Sequence, residues 1–331
     1  MANILLRSPY YINLTEAGSA TAQLNLYIEG TLEYTMTKET SATGDVLFEI
    51  SELAKDYLEP QFSGAYESQT IGISAEVTFF NSEGSVIGDP TPVIENHIGF
   101  YGYSEFTEGA NATLPANEIL QSNTTIYVPE NTGGYIPYES AAGITADTTT
   151  LFADTTLIRA DNDAGDIAIG YLYFNTTQTS TTVEGQEITI NRVCEPKYDP
   201  IKITFVNKFG ALQDLWFFKK RVETLNVSRE LFNRNIITST GGYSTFRHTK
   251  STLSVMANES FNANTGFMDE SMNEPMKQML LSDHVWATIN SLTTPIVITS
   301  SELTYKNSVN DKLINYTIEF EYAYDTINNI R

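Results

Sequence analysis

The densest group of chemistry-bearing side chains is Asp161-Asn162-Asp163-Ala164-Gly165-Asp166, where three carboxylates fall within six residues. Hard oxygen ligands packed this closely suit Ca²⁺. A calcium loop of the EF-hand type starting at Asp161 needs glycine sixth and glutamate twelfth, and those places hold Asp166 and Leu172. The spacing therefore predicts an acidic turn between strands. His97, His248 and His284 stand far apart without paired ligand spacing, which points to packing or surface roles. No nucleophile elbow surrounds a serine. Gly133-Gly134 and Gly241-Gly242 lack the lysine that completes a phosphate loop. The 41 acidic residues single out no pair for glycoside cleavage. One cysteine, Cys194, allows no intrachain disulfide and no cysteine-ligated zinc site. It is expected to be small and half-buried, with no base beside it in the sequence. The chemistry predicted is that of a non-enzyme without a cofactor.

One charged run remains. Lys219-Lys220-Arg221 is the densest cationic stretch of a chain that otherwise has few cations. It reads as a strand end meeting solvent, or as a dock for an acidic surface such as that of another copy of this chain. The acids that would receive it are unevenly spread. Residues 1–194 hold 26 acidic and 5 basic residues, a balance of −21, whereas residues 195–331 hold 15 and 14 and balance at −1. A break this sharp predicts a domain boundary near Cys194–Pro200. The acidic part would be repelled by nucleic acid, so no nucleic-acid partner is expected. The opening MANILLRSPYYINL has no apolar stretch of secretory length, and no window approaches a membrane span.

The elements that would position these residues are mainly strands. With 331 residues, 41% of them hydrophobic and 11% aromatic, the chain can build more than one core. Abundant Thr, Asn, Ser and Tyr favour strands and turns. Residues 1–115 read as a β-sandwich. Leu24, Leu26 and Ile28 alternate with polar neighbours, as do Ile71, Ile73, Ala75, Val77 and Phe79. Asn81-Ser82-Glu83-Gly84 supplies a turn before Val86-Ile87, Ser51–Leu58 reads as a short helix capped by Ser51, and Asn96–Tyr103 as the unit's last strand. Residues 116–194 read as a small Thr/Gly/Asp-rich β-domain or insertion. Its candidate strands are Ile126–Val128, Leu151-Phe152, Ile167–Phe174 and Val183–Ile190.

Residues 195–331 read as a β-rich domain with one or two short helices. Ile201–Val206 alternates, breaks at Asn207–Gly210, and resumes as Leu215-Trp216-Phe217-Phe218, apolar on both faces. A run apolar on both faces must be covered on both, which predicts a central strand and not an edge. Ser228–Asn235 suggests a short helix and Tyr243–Val255 a strand. Met272, Met276 and Met279 follow helical spacing with Ser271 or Asn273 to cap, and Pro295–Lys306 reads as a further strand. Ile314, Tyr316, Ile318, Phe320, Tyr322 and Tyr324 occupy one face, while Asn315, Thr317, Glu319 and Glu321 occupy the other. Eleven residues at about 3.3 Å each predict a strand approaching 40 Å.

The Ile201–Lys220 segment, IKITFVNKFGALQDLWFFKK, together with Asn310–Tyr322, NDKLINYTIEFEY, resembles uncharacterised virion structural proteins of tailed bacteriophages. The likeness covers roughly residues 195–331 and is weaker in the N-terminal sandwich. It implies a non-enzymatic particle subunit of the tail, baseplate or neck, assembled in the host cytoplasm. Its partners would be other copies of itself and other virion proteins. Subunits would join by heterologous contacts or by sheet extension. Trp216, Phe217 and Phe218 are then expected beneath the interface, with Lys219, Lys220 and Arg221 making contacts between neighbours. Two alternatives stay open: an adhesin whose Tyr/Asn/Thr-rich surface recognises a host receptor or glycan, and a capsid decoration protein.

Overall fold

The computed structural model describes residues 2–67, 69–89, 91–115, 118–140, 168–183, 185–195, 197–304 and 313–327. Asp161, Asp163 and Asp166 lie outside the described residues, as does Leu151-Phe152. The fold is mainly β, with two short α-helices among the described residues. None of those helices is long and apolar enough to cross a membrane.

The first sheet runs in the order Ala2–Leu5, Val93–Phe100, Thr70–Phe80, Thr21–Ile28, Thr31–Glu39, with Val86–Ile87 beside Thr70–Phe80. Every second residue of Thr21–Ile28 and of Thr70–Phe80 is buried, as the alternation requires of a half-buried sheet. Leu24 faces Val77 and Leu26 faces Ala75 across the two strands. Their shared face is covered by the pair Tyr11–Thr15 and Asp45–Glu49 and by a helix, Ser51–Lys55, which bring Ile12, Phe48 and Ala54 into one core. The turn before Val86 forms as expected: Asn81 Oδ1 accepts the amides of Glu83 and Ser85 at 3.0 and 2.9 Å. The helix is shorter than its pattern suggests and Ser51 does not cap it. The Glu49 carboxylate accepts the amides of Ser51 and Glu52 at 3.0 and 3.1 Å, while Ser51 Oγ donates to the Ser8 carbonyl at 2.7 Å.

Between the large sheets, Thr125–Pro129 pairs in parallel with Gln186–Val193, which also pairs with Ser180–Val183; Gly134–Ser140 pairs with Ala168–Phe174. The last large sheet runs Leu212–Phe217, Ile201–Val206, Val285–Ile289, Leu292–Ile298, Thr317–Tyr322, Lys250–Asn264, Val222–Asn233. A helix, Asn273–Leu280, lays Met276 and Met279 on the face that carries Phe217, Phe261 and Phe320. Neither Ser271 nor Asn273 caps it. Asp269 accepts the Ser271 amide at 2.9 Å and so caps the preceding 3₁₀ turn, Glu270–Met272.

Five expectations about this region are corrected. Ile201–Val206 is interior, but Leu212–Phe217 is an edge strand of its sheet, and Thr125–Pro129 and Gly134–Ser140 pack beside it. Burial on both faces thus comes from a neighbouring layer and not from flanking strands. Ser228–Asn235 is not helical but belongs to the strand Val222–Asn233. The strand expected over Tyr243–Val255 starts at Lys250 and runs on to Asn264, and the one expected at Pro295–Lys306 spans Leu292–Ile298. The 40 Å strand is broken: Leu313–Ile314 pairs with Met268–Asp269, and Thr317–Tyr322 pairs with Ser260–Asn264. At the break Tyr316 bonds Thr265 twice, its carbonyl accepting the Thr265 amide at 2.9 Å and its amide donating to Thr265 Oγ1 at 3.0 Å. The alternation continues through a change of partner, which sequence periodicity does not register.

Candidate assembly surface

The six residues of the aromatic-cationic run are placed one after another at the end of Leu212–Phe217. Phe217 and Phe218 are fully buried; Phe217 meets the Phe320 ring edge-on at 5.6 Å. Trp216 is half-buried and lies between the core beneath the last sheet and the core around Val128 and Ile190. These aromatics hold layers of the chain together. Lys219 is committed within the chain, its Nζ 2.6 Å from the Glu195 carboxylate, and Arg221 Nε lies 2.6 Å from Glu223. Lys220 is exposed. The run is the hinge from which the next strand leaves the body of the sheet.

That next strand carries the feature that sequence reading missed. All twelve residues of Val222–Asn233 are exposed, on both faces of the strand. Its partner Lys250–Asn264 is buried at its inner end, where Phe261 and Ala263 enter the core, and mostly exposed from Lys250 to Met256. Thr317–Tyr322 flanks only Ser260–Asn264, so the outer part of the hairpin is a two-stranded ribbon. The nine residues Leu225–Asn233 at about 3.4 Å each carry it roughly 30 Å past the last flanking strand. A two-stranded ribbon of this kind is marginal in water by itself.

The ribbon is apolar as well as bare. Among the described residues 24 large hydrophobic side chains are exposed, and 11 of them fall between Val222 and Met256. Along Val222–Asn233 the alternation puts Leu225, Val227 and Leu231 on one face, at 56, 43 and 59% exposure. The register sets Val255 opposite Arg229 on that face and Phe261 opposite Glu223. The face that enters the core at Phe261 therefore continues outward through Leu225, Val227, Val255 and Leu231, interrupted by the charges of Glu259 and Arg229 and covered at Ala257, with its apolar side chains exposed beyond that point. Ile237, Tyr243 and Phe246 in the connecting segment are exposed too. Exposed apolar patches this concentrated mark contact sites. The period-2 spacing of Leu225, Val227 and Leu231 was the available signal.

The other sequence candidates do not converge. His97 is buried in Val93–Phe100 against Tyr10, His248 is exposed in the ribbon's connection, and His284 stacks on Trp286. Burial pushes the pKa of both His97 and His284 down. Among the described residues no three His, Cys, Asp or Glu come together as metal ligands. Cys194 is exposed and not half-buried, and a hydrogen bond with the Glu130 carboxylate pushes its thiol pKa up. Gly134 is no phosphate loop: it lies in a strand, and a Cβ there would meet the Phe174 ring. A small, partly open cavity lined by Gln121, Asn123, Gln213 and Trp216 has about 20 Å³. That is room for a water and far below the several hundred Å³ of a small-molecule site.

Compared with protein-family models and with curated proteins, the sequence has no match. Functional reading therefore rests on the surface itself. Its chemistry is that of docking: an open sheet edge, an apolar stripe, and cations along the same ribbon.

Proposed function

We propose that this chain is a non-enzymatic structural subunit of a tailed-phage virion, in the tail, baseplate or neck, that works by oligomeric assembly. The single observation that carries the reading is the bare apolar ribbon from Val222 to Met256, an element that has no reason to persist unless something covers it. The resemblance of Ile201–Lys220 and Asn310–Tyr322 to virion proteins supports the particle. The partners are other copies of the chain and neighbouring virion proteins, met in the host cytoplasm during assembly.

Fully burying a Leu or Val side chain is worth about 1.5–3 kcal/mol. Leu225, Val227 and Leu231 keep about half of that in reserve, judged by their 56, 43 and 59% exposure. Together they offer about 2–4.5 kcal/mol per contact, which converts to a factor of roughly 30 to 2,000 in dissociation constant. The test is sedimentation velocity of the wild type and of the triple variant Leu225→Ser, Val227→Ser, Leu231→Ser over a concentration series. The wild type is expected to form discrete larger species. The variant should stay near the 36.8 kDa of one chain and still unfold cooperatively, since the core around Phe217, Phe261 and Phe320 is untouched. A wild type that remains a monomer at every concentration refutes the reading.

A further inference from the structure

We propose that the free edge of the ribbon strand Val222–Asn233 adds to the open edge of Thr31–Glu39 in a second copy of this chain, joining subunits head to tail. The inference rests on the assembly reading above and names the two surfaces that meet. Both are terminal strands of large sheets: Val222–Asn233 pairs only with Lys250–Asn264, and Thr31–Glu39 only with Thr21–Ile28. Val222–Asn233 is exposed along its length and Thr31–Glu39 at all but the half-buried Tyr34 and Met36, and at twelve and nine residues they are matched well enough for one to pair with the other. The first sheet's opposite edge is no competitor, because Asn3, Ile4 and Leu5 are buried and Ile4 bridges to Thr113.

Charge selects this pairing over the alternatives. Between Lys219 and Lys250 the chain has seven basic and two acidic residues, a balance of +5 in a protein of net charge −22. Arg229, Arg234, Arg247 and Lys250 enter no ion pair among the described residues. Two ribbons meeting each other would oppose like charges, which disfavours a symmetric contact. The segment from Glu29 to Glu59, by contrast, holds eight acidic residues against Lys38 and Lys55. A lysine on an edge strand ordinarily guards that edge. Lys38 does not: its Nζ donates to the Leu47 carbonyl at 2.7 Å and sits 5.3 Å from the centre of the Phe48 ring, folded onto its own subunit. The acidic edge is left unguarded. A contact between two different surfaces of identical chains propagates, closing into a ring or running on as a filament.

The test is charge reversal with rescue on the full chain, read by sedimentation equilibrium. Arg229→Glu with Arg234→Glu on the ribbon, and separately Glu33→Lys with Glu39→Lys on the edge, should each weaken self-association about tenfold or more. Combining all four in one chain restores opposite charges across every contact and should recover affinity to within about threefold of wild type. All four residues are exposed, but Glu33 accepts the Tyr57 hydroxyl at 2.9 Å, so an unchanged circular-dichroism spectrum, and not an unchanged melting point, is the check that each variant is folded. If the edge pair changes nothing while the Leu225/Val227/Leu231 triple still abolishes oligomers, the edge is not the dock and the subunit reading survives alone. If the combined variant stays as weak as either pair, the pairing is wrong. If the wild type does not self-associate, or docks only on a different protein, the inference falls.

Discussion

Tyr66 sits at the joint between the first unit and the last sheet, and replacing it with Phe measures how that joint is held. Its hydroxyl donates to Asp214, accepts from Lys202 Nζ at 2.8 Å, and lies in a nest of rings with Tyr135 at 4.3 Å and Tyr171 at 5.4 Å. Asp214 also accepts from Thr204 Oγ1 at 2.6 Å, and Lys202 Nζ stands 3.8 Å from the Asp214 carboxylate and 5.1 Å from the centre of the Tyr66 ring. Burial, reinforced by the Asp214 charge, pushes the phenol pKa well up, so Tyr66 acts as a donor across the working pH range.

Tyr66→Phe keeps the ring contacts and deletes the donor. A hydrogen bond to a charged partner contributes about 1.5–3 kcal/mol, and the more apolar Phe returns a little of that, so the expected loss is about 2 kcal/mol. Asp214→Ala strands the phenol, the threonine hydroxyl and a lysine that is only 17% exposed, and should cost about 3–5 kcal/mol. In the double variant the two losses overlap by about 2 kcal/mol, because once Asp214 is gone the phenol proton has lost its acceptor already. Guanidinium unfolding followed by tryptophan fluorescence suits this site. Trp286 lies 5.8 Å from Phe62 at the joint, and Trp216, the only other tryptophan, lines the cavity that Asp214 also lines. A Tyr66→Phe loss under about 0.5 kcal/mol, or strict additivity with Asp214→Ala, would show that the network does not hold the joint.

Three further outcomes follow from the same packing. Phe217→Ala should cost about 3–5 kcal/mol and Trp216→Ala about half of that, because Phe217 is fully buried and Trp216 is not; equal losses on denaturation would contradict the layering. Gly102→Ala should destabilise by about 1–3 kcal/mol, since a Cβ there would stand 2.5 Å from the Lys208 carbonyl and 2.8 Å from Leu5, and a thermal midpoint equal to wild type would rule out that close approach. His97 and His284 have folded-state pKa values lowered by burial, so the unfolded chain binds more protons below their ordinary value of 6.5. Stability should therefore be complete above about pH 6.5 and fall as the pH drops from there toward the folded pKa values, with a shallower fall in His97→Gln/His284→Gln. Stability that rises on acidification through this window reverses the sign and refutes the argument.

Strands with one buried and one wet face were legible in the sequence. In Thr21–Ile28 and Thr70–Phe80 the apolar positions are the buried ones, residue by residue, because a single period-2 rule governs both. Leu212–Phe217 announces that both its faces are covered but not by what, and the cover is a separate layer of strands. The Lys219–Glu195 pair joins residues 24 apart around the end of a strand, a contact that no local pattern encodes. The break at Tyr316 is invisible for the opposite reason: local alternation is perfect there, and only the exchange of partners interrupts the strand.

The ribbon was misread for a reason that bears on its role. Its apolar residues follow the period of a half-buried strand, yet nothing in the monomer buries them, so tertiary context in one chain could not confirm the pattern. Its alternation predicts a covered face and the face is bare, which is the observation the proposed contact rests on. The register shift between Glu230 and Leu231 fits this view, since a bulge increases local twist and re-aims the outer end of the ribbon. The inner end needs no such partner: Phe261 stacks on Phe320 at 5.2 Å and anchors the hairpin in the core. One end of the hairpin is fixed in the core of its own chain, and the other leaves apolar side chains bare, which is the surface the proposed contact would cover.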